Sequence, residues 1–303
     1  MKVKIKLKNL KKEHITYIIL GLYLIVLLFS FISIQKFPTQ DLLFFLFFIA
    51  ALLIVKVRNF LKDWIPFLLL FFGYDAMKGL ADNTNINVHI TDLINLERSI
   101  FGFIPTIKLQ GLLYDVGIPH WYDYLTVFFY ALHFLIPFIF AFIFWVISRE
   151  LFKRFAITLL VLSYFSFITF LIFPTMPPWL ASDQGYLPEI HRVAYENRYP
   201  FLLQDYKLPT IYSKFNSNLV AAMPSLHIAF PWLVFLFLFQ RYRWKALIIA
   251  FYTLVLFFTA VYSGEHYVVD GIVGIIYASL IFLFMNKVFA KLSNKNFFQK
   301  TTD

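Results

Sequence analysis

Apolar residues in this chain fall into long runs, not into the alternating or three-and-four spacing of an amphipathic soluble fold. The runs cover roughly 15–34, 41–55, 64–77, 122–147, 156–173, 225–240, 246–262 and 267–286. A helix that crosses a bilayer needs about 20 mostly apolar residues, with a range of about 17–25. Several runs meet this alone, whereas 41–55, 64–77 and 225–240 need their flanks. The pattern predicts an all-α integral membrane protein with about eight transmembrane helices.

Polar positions then set the orientation. With the N-terminus inside and strict alternation, the inside segments are 1–14, 56–63, 148–155, 241–245 and 287–303. They hold 19 of the 27 lysines and arginines, and the much longer outside segments hold 8. The positive-inside rule therefore places both termini in the cytoplasm. The net charge of +10 belongs to a membrane surface facing anionic lipid, and no nucleic-acid partner is expected. Six lysines ahead of the first run resemble the start of a signal peptide, but Ser33-Ile34-Gln35-Lys36-Phe37-Pro38 follows without a small-residue cleavage site. An uncleaved anchor in the cell membrane fits better.

Composition agrees, with 60% hydrophobic and 15% charged residues. The absence of cysteine excludes disulfides, thiolate catalysis and cysteine-ligated metals. The chain divides into a basic tail (1–14), two additional N-terminal helices (15–63), a six-helix core (64–286) and a second basic tail (287–303). Two outer segments are unusual. Segment 81–121 is apolar in part but broken at Pro105, and reads as an interfacial or half-inserted helix. Segment 174–224 opens with Pro174-Thr175-Met176-Pro177-Pro178-Trp179 and has the length of a lid or binding loop.

Ionisable residues beside apolar spans are costly and mark function. In Pro224-Ser225-Leu226-His227, Ser225 and His227 lie in the first turn of a span, where free N–H groups favour an anion; a simple capping histidine is the plainer reading. In His266-Tyr267-Val268-Val269-Asp270, the i,i+4 spacing lets Asp270 hold one ring nitrogen of His266 and leave the other as nucleophile or base. A polar latch between helices is the alternative there. In Gly73-Tyr74-Asp75-Ala76-Met77-Lys78-Gly79, Lys78 could hold an anion or simply snorkel. His133 reads first as a hydrogen-bonding partner between helices. Two histidines and an aspartate on separate helices share one outer depth, which suits in-line phosphoryl transfer: one histidine attacks phosphorus and the other protonates the leaving oxygen.

These motifs resemble the type 2 phosphatidic acid phosphatase superfamily of membrane lipid phosphatases and phosphotransferases. The stretch Phe173-Pro174-Thr175-x-Pro177-Pro178-Trp179 is similar to the inositol phosphorylceramide synthase branch. The resemblance spans about 64–286. It implies a six-helix core and metal-independent catalysis without a cofactor. His266 would become a phosphohistidine, Asp270 would orient it, and His227 would serve as acid and then base. Ser225 would help bind phosphate. Apart from the resemblance, Lys78 is a candidate for the same role, and His133, Asp75 and Trp179 are candidate supporting residues. The family's third motif carries an arginine where this chain has Ala260, and its first motif is reduced here to the Lys78 stretch. Both departures favour a singly charged diester over a monoester. The expected function is cleavage of a lipid phosphate ester or diester at the outer face, by hydrolysis or by transfer of a phospho-head group to a lipid hydroxyl. The alternatives are a transporter using the His/Asp cluster for ion coupling, a His/His/Asp zinc site, and a purely structural membrane protein.

Overall fold

The structure, a computed structural model, describes residues 57–81, 87–193 and 219–300, with side chains left out at 57, 58, 72, 75–81 and 294–300. The first basic tail, nearly all of the two additional N-terminal helices, and residues 194–218 of the second long loop lie outside it.

The described chain is all-helical, with isolated β-bridges and no strand. Helix α1 (Val57–Ala81) is followed by two short helices, α2 (Thr91–Phe101) and α3 (Pro105–Leu113). Next come α4 (Trp121–Leu132), α5 (Leu135–Ile147) and α6 (Arg149–Ile172), then the single-turn α7 (Pro178–Asp183). The chain ends with α8 (Leu226–Tyr242), a 3-10 turn (Arg243–Ala246), α9 (Leu247–Tyr262) and α10 (Val268–Lys300). The apolar run predicted to end at 286 is thus part of a longer helix.

Among the described residues, three stretches are long and apolar enough to cross a membrane: Arg149–Ile172, Leu226–Tyr262 and Val268–Ser293. The second is a hairpin, because α8 and α9 pack on each other and the chain reverses at Arg243, where φ is 52°. Helices α4 and α5 are apolar enough only when taken together, and the pair is bent by 49°, the form of a broken span or a re-entrant loop. Pro137 explains the bend, since it has no N–H for the carbonyl of His133 and its ring crowds that carbonyl. His133, expected inside a continuous span, sits at the break. Leu69, Phe165, Ile172, Ile248, Phe251 and Leu280 are each more than half exposed, as lipid-facing side chains are.

Helix α8 is central, touching α5, α6, α9 and α10, while α6 joins α1 and α5 to it. The core is aromatic. Trp64 stacks on Phe152 at 5.1 Å, Phe71 meets Phe138 edge-on at 5.0 Å, and Phe155 meets Phe237 edge-on at 5.2 Å. In lipid, where burial gives helices little drive to associate, such ring packing carries much of the cohesion.

Because successive long helices alternate in direction, the starts of α1 and α6 share one end of the bundle. There Asp63 accepts two hydrogen bonds of 2.6 Å from Arg149 and one of 2.8 Å from Trp145 Nε1. The starts of α4, α8 and α10 share the opposite end. Asp63→Ala removes a carboxylate that joins three helices. It should lower stability by about 1–3 kcal/mol, the range for hydrogen bonds to a charged group, read as a lower melting midpoint in detergent.

Candidate active site

Helix α10 lies with its backbone directly against the start of α8. The Ser225 N–H donates to the Asp270 carbonyl at 3.0 Å. One turn further on, a Cβ at Gly274 would stand 2.4 Å from the Ser225 carbonyl oxygen. On the neighbouring face, a Cβ at Gly271 would stand 2.3 Å from the ring of Phe257 on α9. Only hydrogen at both positions lets three helices converge this closely.

That approach brings the two histidine motifs together. His227 Nδ1 lies 2.8 Å from His266 Nε2. His266 Nδ1 lies 3.4 Å from Asp270 Oδ2, which also accepts the Tyr267 N–H at 2.8 Å. With the Nδ1 proton of His266 turned to Asp270, Nε2 carries the lone pair and accepts from His227. His266, Asp270 and Ser225 are all buried. Ser225 occupies the N-cap position of α8, yet its hydroxyl caps nothing and has no hydrogen-bond partner among the described residues. Tyr130 stacks on His227 at 4.9 Å, and His133 lies 4.1 Å from the same ring while its own Nδ1 meets the Tyr130 carbonyl. His133 therefore backs His227 and does not join the His266–Asp270 pair.

The Pro-Pro-Trp stretch holds both motifs in place. The Thr175 N–H donates to the Val220 carbonyl at 2.8 Å, and Thr175 Oγ1 accepts the Met223 N–H at 2.9 Å. On its other side the His89 N–H reaches the Pro174 carbonyl at 2.8 Å. The Trp179 N–H reaches the Gly264 carbonyl at 3.0 Å, two residues before His266.

Segment 81–121 is more than interfacial. It forms two helices separated at Gly102–Ile104, with Pro105 starting the second, and it sends polar side chains inward. Gln110 donates to the His191 and Tyr262 carbonyls, each at 2.7 Å, and accepts the His191 N–H at 2.9 Å. Glu97 is fully buried and accepts the Val269 N–H at 3.2 Å, so it caps α10. Burial pushes the Glu97 carboxyl up from 4.5 to about 7, with the Asp270 charge adding to the rise and the backbone N–H groups of Val269 and Val268 opposing it. Glu97 reads in sequence as a solvated loop acid, and only the i,i+3/i+4 placement of Leu93, Ile94 and Glu97 on one face hints otherwise.

Two cations deserve comparison. Lys78 and its neighbour Asp75 lie on the last turns of α1, and their side chains are outside the described set. Arg192 donates to Glu265 at 2.9 and 3.1 Å and lies 3.9 Å over the ring of Trp179. Trp179 thus sits beside the site, in contact with the Arg192 guanidinium. Among the described residues, no cluster of three or more His, Asp or Glu side chains is arranged to hold a metal ion. The N-termini of α8 and α10 share this end of the bundle and are both candidate anion holders. In the structure α10 is already capped by Glu97 and Asp270, and only α8 lacks a side-chain cap.

The sequence model of the PAP2 superfamily matches residues 91–284, which contain both histidine motifs, Glu97, Gln110 and the Arg192–Glu265 pair. The chain belongs to the PAP2 superfamily. It is an integral membrane enzyme of the lipid phosphatase and phosphotransferase type, similar to the inositol phosphorylceramide synthase branch. It is 28% identical to the phosphoinositol dihydroceramide synthase of Bacteroides thetaiotaomicron, over 96% of this chain and 97% of that one. No solved structure matches the chain at a significant level.

Two outcomes are expected of this PAP2 protein. Gly274→Ala must displace the Ser225 backbone and with it His227, lowering kcat by about 10²-fold, the scale of a 1 Å misplacement. Gly111→Ala, which meets nothing within 4 Å, serves as the tolerated control. The second concerns pH. The folded-state pKa of Glu97 lies above its ordinary value, so its stabilising contribution is full below 4.5 and is lost as pH rises through about 7. Glu97→Gln should flatten the fall in melting midpoint across that window.

Proposed function

We propose that this enzyme transfers a phospho-head group from a phospholipid diester to the hydroxyl of a second lipid, through a phosphohistidine on His266. The observation that carries the reading is the 2.8 Å pairing of His227 and His266 on separate helices with Asp270 behind. The similarity to a phosphoinositol dihydroceramide synthase along almost the full length of both chains supports transfer of phosphoinositol to a ceramide-type hydroxyl.

In the proposed sequence, phosphorus reaches His266 Nε2, so substrate binding replaces the His227–His266 hydrogen bond. The Nε2 lone pair forms the P–N bond while the P–O bond to the diacylglycerol breaks. His227 gives its proton to the departing oxygen. Asp270 steadies the positive charge of the phosphorylated ring through Nδ1–H. The acceptor hydroxyl then attacks phosphorus, its proton passes to His227, and the P–N bond breaks. The Ser225 hydroxyl and the uncapped N-terminus of α8 serve the non-bridging oxygens, with Lys78 as a further phosphate-binding candidate. His133 and Trp179 support the site from behind, with Asp75 as a further supporting candidate.

No metal ion or cofactor takes part in this scheme. The catalytic core is 64–286, preceded by two further helices. The lysine and arginine distribution supports a site on the outer face of the cell membrane with both termini in the cytoplasm.

The test incubates purified protein, in EDTA, with labelled phospholipids differing in head group, with and without a ceramide-type acceptor. The expected result is acceptor-dependent appearance of the phospho-head group on the acceptor, with release of diacylglycerol. Turnover that ignores the acceptor would overturn transfer in favour of hydrolysis, and loss of activity in EDTA restored by zinc would favour a metal site. His266→Ala should abolish turnover on every donor. His227→Ala should cost about 10²–10⁴-fold on a lipid leaving group and much less on an aryl one that needs no proton; equal losses on both would remove this division of roles.

A further inference from the structure

Beside the histidines lies a charge pair that the proposed transfer does not use. Glu265 immediately precedes His266 and is buried, with 8% of its side chain exposed. Arg192 comes from a different part of the chain, the stretch after α7, and meets both carboxylate oxygens in a two-pronged contact of 2.9 and 3.1 Å. Both partners are held. The backbone of His191, next to Arg192, is clamped on both its N–H and its carbonyl by Gln110. The guanidinium rests on Trp179, whose own N–H is fixed to the Gly264 carbonyl. Glu265 has its N–H on the Ala260 carbonyl at 3.1 Å, and its Oε2 lies 3.5 Å from the hydroxyl of Tyr130, the ring stacked on His227. The pair is thus one residue from His266 in the chain and one side chain from His227 in space.

We propose that Arg192 and Glu265 form the head-group recognition site, selecting a neutral, polyhydroxyl head group over a cationic or an anionic one. This rests on the phosphotransfer reading above. The selection follows from the chemistry of the pair. A hydroxyl both donates and accepts, so it can give a proton to a carboxylate oxygen and take one from a guanidinium N–H at the same time. An ammonium head group gains Glu265 but meets Arg192, and a phosphorylated head group gains Arg192 but meets Glu265. Each charged head group therefore faces one like charge held rigidly in place, which a mobile surface pair would not impose. Arg192 retains 30% side-chain exposure, as a group that greets an incoming ligand requires.

The test uses three donors with identical acyl chains, carrying inositol, ethanolamine or phosphorylated inositol as head group. The readout is the ratio of kcat/KM values between donors, which cancels any general loss of activity. Glu265→Gln leaves an unopposed cation and should move preference toward the phosphorylated head group. Arg192→Gln leaves an unopposed anion and should move it toward ethanolamine. Each shift should exceed about tenfold, since like-charge juxtaposition costs several kcal/mol. The double variant Arg192→Glu with Glu265→Arg restores a neutral pair and should return preference to inositol. Opposite shifts in the two single variants support the assignment, because a role limited to holding the loop would move both the same way. Ratios that do not change, or losses equal for all three donors, would overturn it and assign the pair to the phosphate or to the fold. Where no donor is turned over, the phosphotransfer reading fails. The same ratios, measured as affinities for the water-soluble glycerophospho-head groups, then decide the pair by themselves.

Discussion

The contact on which the site depends is between two backbones. Helix α10 passes so close to the start of α8 that the Ser225 carbonyl occupies the space of a Gly274 side chain, while the Ser225 N–H is bonded to the Asp270 carbonyl. Side chains adjust by changing rotamer, but a backbone pinned on both sides of one residue does not. The distance between His227 and His266 is inherited from that contact. So is the placement of Asp270, which serves with its carbonyl as the anchor and with its carboxylate as the partner of His266. The proposed attack by His266 and proton delivery by His227, from separate helices, require positioning to a fraction of an ångström, and here it is supplied by main-chain geometry.

The layer above that contact solves a second problem. Irregular backbone near a bilayer must find its hydrogen bonds within the protein. Gln110, Thr175, Glu97 and Ser182 do this work for the loops around the histidines. Gln110 satisfies three backbone groups on two segments, and the Ser182 hydroxyl takes the Ile190 N–H at 2.9 Å. These bonds make the loops part of a rigid frame in the described structure. That rigidity is why Arg192, remote in sequence from either histidine motif, is held beside them.

The sequence made the membrane class legible, because repeated long apolar runs, most of them near the length of a span, have few other uses. It also made the His266–Asp270 pair legible, since i,i+4 spacing acts within one helix. The meeting of His227 with His266 was only inferable from shared depth and family resemblance, because the distance between two helices depends on Gly274 and Gly271, and glycine in a membrane helix has many uses. His133 was placed in a continuous span because Pro137 is tolerated in such helices as often as it bends them. Glu97 and Glu265 were invisible as buried acids. Each is a single charge in a polar stretch, and its partners, Val269 and Arg192, lie far away along the chain. Long-range polar pairing leaves no periodic trace.

The electrostatics of the site point to the kind of phosphate it suits. The buried Ala260 stands where the family has an arginine, and its carbonyl accepts the N–H groups of both Glu265 and His266, so this turn serves to shape the chain and brings no charge. Helix α10 has spent its positive end on Glu97 and Asp270. Arg192 is neutralised by Glu265. Among the described residues of these motifs, what remains for an incoming phosphate is the uncapped start of α8, equivalent to roughly half a unit charge, and the Ser225 hydroxyl. A monoester brings nearly two negative charges and would be undercompensated in a buried place. A diester brings one, so against the half charge of the helix it leaves about half a charge uncompensated where a monoester leaves about one and a half. With no arginine at Ala260, this balance favours the proposed diester, the substrate that head-group transfer requires.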